Sequence, residues 1–289
     1  MNRHRMVLLA ALAASLGTIA SCTASDGSDS TDGSATAAPT AAGPTPTDPT
    51  AFDPAESTRL FLPGAGEHVS TPVPLVVLVP GGGWISADPA GLVPLAEDLQ
   101  ERGTAVATVT YRTAADGAYF PLPVQDITCD VAYVAAQVGE RGTEVSEVVL
   151  VGHSAGAQLA ALVALGQDAD AECSDALVPV DRFVGIAGPY DVSQAPPAAL
   201  LFGPERSGTD QWAEGNPLTY ADSRPQVPVL LLHGHLDAVV PIAFTEQFAA
   251  ALEAGGHEVT TRYVDEADHQ SIFGATMVGP LLAEWLDLS

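Results

Sequence analysis

Short apolar, β-branched runs alternate with helix-like segments along most of the chain, and that alternation constrains the fold more than any other feature. PLVVLV (74–79) precedes PAGLVPLAEDLQERG (89–103), and TAVATVTY (104–111) precedes PVQDITCDVAYVAAQVGERG (123–142). EVVLVGHSAGAQLAALVALG (147–166) joins a third strand to a third helix. RFVGIAG (182–188) and VPVLLLHG (227–234) read as strands, AFTEQFAAALEAGG (243–256) as a helix, HEVTTRYV (257–264) as a strand and MVGPLLAEWLD (277–287) as a closing helix. Several strand runs are apolar throughout, as strands covered on both faces require. The fold class is therefore α/β: an open, mostly parallel sheet with helices on both faces. Residues 189–226, with repeated Pro and Gly, break the pattern and read as an insert over the sheet's carboxyl edge.

Ligands of such sheets bind beyond the carboxyl ends of the strands, so the loops after the strands hold the candidates. After VVLV (148–151) comes GHSAG, Gly152 to Gly156, which matches the strand–turn–helix pattern of a nucleophile elbow. Serine is also a good helix N-cap, so Ser154 by itself could be only a small residue at a turn. After LVVLV (75–79) comes PGGGW, Pro80 to Trp84. That stretch is either a flexible turn or a loop whose Gly82 and Gly83 amides, with that of Ala155, form an oxyanion hole. Asp237 lies in HGHLDAVVP (233–241) and His269 in DEADHQSIF (265–273). The order Ser154, Asp237, His269 is that of a triad in which serine attacks a carbonyl, histidine takes its proton, and aspartate orients the imidazole. His153 and His233 read as structural, and His68 and His257 as solvent-facing. Asp268 adjoins His269 too closely to orient it. Asp191 reads as a residue that folds the insert, and Trp84 and Tyr111 either line the pocket mouth or simply pack.

The first 51 residues are of another kind. Arg3, His4 and Arg5 form a basic start, residues 6–20 an apolar run, and Ile19 to Cys22 reads IASC. Residues 1–21 thus resemble a bacterial lipoprotein signal, whose cleavage leaves Cys22 as a lipid-bearing N-terminus; an ordinary secretory peptide with a chance cysteine is the alternative. Residues 22–51, dominated by Ser, Thr, Asp, Ala, Gly and Pro, read as a disordered tether, and residues 52–289 as the folded domain. This organisation implies an exported protein on the outer side of the bacterial cytoplasmic membrane, with the bilayer as partner through Cys22. All ten basic residues are arginine, and removing residues 1–21 leaves eight against 36 acidic residues, a net charge of −28. Such a field repels polyanions and excludes nucleic acid as a partner. With Cys22 lipidated, Cys129 and Cys173 remain, and in an oxidising compartment a disulfide between them is favoured over two buried thiols.

PGGGW, GHSAG, AGPYDVS (187–193), NPLTY (216–220), HGHLDAVVP and DHQSIF together make residues 60–289 resemble the α/β-hydrolase esterases related to hormone-sensitive lipase, and their smaller carboxylesterase and arylformamidase-like cousins. The resemblance implies an eight-stranded, mostly parallel sheet with its first turns near residues 57–77. It also implies a small-molecule ester as substrate, attacked through an acyl-enzyme on Ser154 with no metal or organic cofactor. Amide cleavage is the nearest alternative; a surface interaction protein on a decayed hydrolase scaffold is a more distant one. One departure stands out: the family usually has histidine before the glycines, where this chain has Pro80, which puts the support of the oxyanion loop in question.

Overall fold

The apolar runs form seven strands: β1 (Thr58–Phe61), β2 (Val73–Val79), β3 (Ala105–Val109), β4 (Val145–His153), β5 (Arg182–Ile186), β6 (Val229–Gly234) and β7 (Val259–Val264). They belong to a computed structural model that describes residues 52–64, 72–166, 171–204 and 211–288. Residues 1–21, read as a lipoprotein signal, residues 22–51, read as a tether that begins with Cys22, His68 and residues 205–210 of the insert lie outside the described residues. The strands make one sheet in the order β1-β3-β2-β4-β5-β6-β7. Only β1 runs antiparallel to its neighbour. Register sets the carboxyl ends level, with Val79 opposite Gly152, His153 opposite Ile186 and Gly234 opposite Val264. The loops that leave β2, β4, β6 and β7 therefore open at one edge.

The described residues supply seven strands where the resemblance implies eight. Among the described residues β1 is the outermost strand on the antiparallel side, and a helical turn comes just before it. Asp53 caps α1 (Pro54–Ser57) by accepting from the Ala55 amide, and Pro54 sits where a missing N–H costs nothing. The chain then enters β1, with the Ser57 carbonyl taking the Thr110 amide.

The remaining helices are α2 (Val93–Glu101), α3 (Leu122–Glu140), α4 (Ala155–Leu165), α5 (Ala199–Phe202), α6 (Gln211–Glu214), α7 (Ala243–Gly255) and α8 (Ala275–Trp285). Alternate strand residues serve two cores. Leu75, Val77, Leu150, Phe183, Val229 and Leu231 face one that includes Ile127 of α3, Leu159 of α4 and Phe248 of α7. Val76, Leu78, Val149, Val151, Val184 and Leu232 face the other, with Leu95 and Leu99 of α2 and Leu282 of α8. That division is why the runs are apolar at every position and not at every second one.

Cys129 of α3 is disulfide-bonded to Cys173, 44 residues on, as favoured from the cysteine count. No described element of the insert exceeds four residues: 3₁₀ turns at Val192–Gln194, Pro196–Ala198 and Pro217–Tyr220 flank α5 and α6. Asp191 organises it, accepting from Ser193, Gln194 and Asn216. Burial opposes ionisation of that carboxyl, but these donors outweigh it and hold Asp191 below the usual carboxylate range. His257 departs from expectation: it is buried, its ring nitrogens 2.9 and 3.0 Å from the Val227 and Ser223 carbonyls, because the turn that follows α7 folds it under residues 223–227. Among the described residues no helix is long and apolar enough to cross a membrane.

Candidate active site

Between β4 and α4 the chain turns at one residue. Ser154 has φ 53° and ψ −125°, a conformation that costs a non-glycine residue about 1–3 kcal/mol. Its amide donates to the Ile186 carbonyl of β5, and its carbonyl receives the Ala157 and Gln158 amides, so sheet and helix hold the turn from both sides. The flanking glycines are steric requirements. A methyl on Gly152 would lie 2.4 Å from the Gly156 carbonyl oxygen, and one on Gly156 would lie 2.3 Å from that of Pro80.

Three loops meet at the Ser154 side chain. His269, in the loop after β7, brings Nε2 to 2.9 Å from the serine Oγ. Its Nδ1 lies 2.6 Å from Asp237 Oδ2, in the loop after β6. Asp237 Oδ1 accepts the amides of Val239 and Val240 at 2.8 and 2.9 Å. The carboxylate is thus buried but fully occupied, as a buried charge must be. The third loop is PGGGW: Gly81 comes so near that a methyl there would stand 2.8 Å from Ser154 Cβ. Gly82 and Gly83 have φ of 144° and 60°. Their amides and that of Ala155 donate to no acceptor among the described residues.

The loop's support, questioned by Pro80, comes from elsewhere. The Tyr111 hydroxyl donates to the Pro80 carbonyl at 3.0 Å, and burial pushes that phenol's pKa far up, so it stays a donor. Trp84 is buried, with its indole N–H on Gln158 Oε1 at 2.9 Å, and Gln158 Nε2 donates in turn to the Gly215 carbonyl of the insert at 2.7 Å. Both aromatics pack, and they also anchor the loop. Gln158 escaped the sequence reading. Its signal was a lone polar residue in the otherwise apolar helix AGAQLAALVAL.

His153 fills the variable position of the elbow as a structural residue. Its Nε2 lies 2.9 Å from the His269 carbonyl, and burial, reinforced by the neighbouring His269, pushes its pKa down to about 3. The ring is neutral, donates to that carbonyl and packs at a tilt against Phe273. Asp268 accepts from the amides of Gln270 and Ser271, shaping the loop. Asp265 pairs with the exposed His235.

The sheet order, the helices on both faces and a strained serine between β4 and α4 define an α/β-hydrolase fold. Thermogutta terrifontis esterase 2, in its apo form, superposes with a TM-score of 0.69 over 80% of this chain and 90% of that one, at 21% identity, a likeness of fold. The family model BD-FAE matches residues 60–252, about two thirds of the chain, and the chain belongs to that family. Among curated relatives, esterase LipQ of Mycobacterium tuberculosis (strain ATCC 25618 / H37Rv) is 28% identical over 227 residues, 73% of this chain and 53% of that protein. Kynurenine formamidase of Danio rerio is 29% identical over 228 residues, 75% of this chain and 71% of that protein. Apart from the formamidase, the chain spans about half the length of most curated relatives it matches.

Proposed function

We propose that the protein is a serine hydrolase that cleaves carboxylic esters through an acyl-enzyme on Ser154. One observation carries the reading: an unbroken hydrogen-bonded chain, Asp237–His269–Ser154, ending at a strained serine beside a loop of unpaired amides. In roles, His269 Nε2 takes the hydroxyl proton as Oγ attacks the carbonyl carbon. Asp237 keeps the proton of the other ring nitrogen on Nδ1 and stabilises the imidazolium. The amides of Gly82, Gly83 and Ala155 receive the developing oxyanion; a donor of this kind is worth about 3–4 kcal/mol in the transition state. His269 returns its proton to the leaving alcohol, and water then repeats the sequence to release the acid. None of these steps calls on a metal or cofactor. The esterase name of LipQ supports the choice of ester.

Amide cleavage is the second reading, favoured by the similarity to kynurenine formamidase, a curated relative of which the chain covers 71%. Kinetics on p-nitrophenyl acetate, butyrate and octanoate beside an N-formyl arylamine separate the two. The ester reading expects kcat/KM on the best ester to exceed that on the formamide by at least tenfold. Preference for the formamide would replace it.

We further propose that Cys22 carries lipid and holds the domain on the outer side of the bacterial cytoplasmic membrane, on the strength of IASC after an apolar run. Cys22→Ser is expected to release the protein from the membrane fraction with activity intact. A variant that stays membrane-bound would mean that residues 6–20 are an uncleaved anchor.

A further inference from the structure

We propose that His233 is a positioning residue for the Asp237–His269 pair: its ring, held by Thr245, clamps the loop that presents the Asp237 carboxylate. The inference rests on the serine-hydrolase reading above and adds to it a second imidazole on the same carboxylate. His233 is fully buried near the carboxyl end of β6. Its Nδ1 lies 2.7 Å from Thr245 Oγ1 of α7, also fully buried. Its Nε2 lies 2.9 Å from the Val240 carbonyl and 3.3 Å from Asp237 Oδ2. A carbonyl only accepts, so Nε2 carries the hydrogen and the Thr245 hydroxyl donates to Nδ1. Burial pushes the His233 pKa down, so the ring clamps without adding a charge that would compete with His269.

The arrangement grips the Asp237–Val240 turn at both ends. The Val240 amide donates to Asp237 Oδ1 while the Val240 carbonyl takes the His233 proton. Asp237 Oδ2 then faces two imidazoles, Nδ1 of His269 at 2.6 Å and Nε2 of His233 at 3.3 Å. The other titratable groups around His233 are few. His153 lies beyond His269 on β4, Tyr263 pairs with His233 in register on β7, and Glu246, next to Thr245 on α7, is exposed. The Nε2–H that donates to the Val240 carbonyl also lies beside Oδ2, where its dipole offsets part of the carboxylate's charge. Without it Oδ2 turns more of its charge on the His269 imidazolium, and the Asp237–Val240 turn loses one of its anchors.

The test compares the full chain with His233→Gln, whose amide nitrogen reaches about where Nε2 stands, His233→Leu and Thr245→Val. Two readouts are taken: kcat and KM on p-nitrophenyl acetate from pH 5 to 8, and the protonation of His269 followed by imidazole NMR, which needs no substrate. His233→Leu is expected to lose kcat by about tenfold or more with KM little changed. Its acid limb and the His269 midpoint should both move to higher pH. Thr245→Val, nearly isosteric, should move both the same way by less, and it decides the matter if His233→Leu does not fold. His233→Gln should keep kcat within about threefold of wild type, with its midpoint in place. Folded Leu and Val variants with unmoved midpoints and kcat would overturn the proposal, as would a Gln variant as impaired as Leu. A wild type that shows the NMR pattern yet turns over no ester would sink the esterase reading and leave this inference standing.

Discussion

Gln158 and His153 do no chemistry in this account, yet each holds a part that does. Gln158→Leu keeps the volume but leaves the Trp84 indole N–H and the Gly215 carbonyl buried without partners. Each orphan costs about 1–3 kcal/mol, so unfolding should show a loss of about 2–4 kcal/mol. The loosened PGGGW loop should lower kcat/KM about tenfold. Loss of stability with catalysis intact would detach Gln158 from the oxyanion loop. His153 enters through the pH profile. With its pKa pushed down to about 3, it stays neutral from pH 5 to 8. The acid limb of kcat/KM should therefore carry a slope of one proton, that of His269; a slope of two would put His153 in the titration. The elbow was legible in sequence because its glycines are dictated by backbone contacts within one short stretch. Gln158 and His233 were not. Their partners, Gly215, Thr245 and Val240, are brought near only by the insert and by the packing of α7 on the sheet, and a buried histidine near a strand end looks the same with or without a carboxylate beside it.

Strands, helices and the insert differ in how far local pattern specified them. β2, β4 and β6 fall close to the apolar runs because, apart from Pro74 and the first three residues of β4, both faces of each are buried. The eighth strand came from the resemblance and not from an apolar run: among the described residues Asp53 and Pro54 start a helical turn, and β1 follows it. The insert was legible only as an interruption, since 3₁₀ turns of three or four residues have no period to detect. The cysteines gave a definite expectation because an exported chain with two remaining thiols has one possible pairing. That bond ties α3 to the segment after α4 across 44 residues. In the chain-entropy view it is worth about 4 kcal/mol. The Cys129→Ser, Cys173→Ser double variant should lose roughly that much in urea unfolding while its kcat/KM stays within about twofold, because neither cysteine touches the site. A loss of activity with stability unchanged would tie the disulfide to the site instead.

For the molecule as a whole, two of the buried groups, His153 and Asp130, act on the pH dependence of stability with opposite signs. His153, pushed from 6.5 to about 3, leaves the unfolded chain holding more protons between those values, so its contribution is present above pH 6.5 and is lost as pH falls toward 3. Asp130 of α3, driven mainly by burial from 3.8 up to about 9, works the other way. Its neutral carboxyl lies 2.5 Å from the Ser57 hydroxyl, and the folded state holds the extra proton. Stability from that group is present below pH 4 and drains away as pH rises toward 9, by at most about 1.4 kcal/mol per pH unit. Urea unfolding at pH 6.5, 7.5 and 8.5 should show the decline, and Asp130→Asn, which mimics the neutral acid, should flatten it. An equal slope in the variant would remove Asp130 from the account. The esterase reading itself is tested most directly by intact-mass analysis of the protein after treatment with a fluorophosphonate, beside Ser154→Ala and His269→Ala. One adduct per chain is expected in the wild type, mapped to Ser154, with none in Ser154→Ala and a rate on the order of a hundredfold slower in His269→Ala. A folded wild type that takes no label, or a Ser154→Ala variant that takes as much, would contradict that reading.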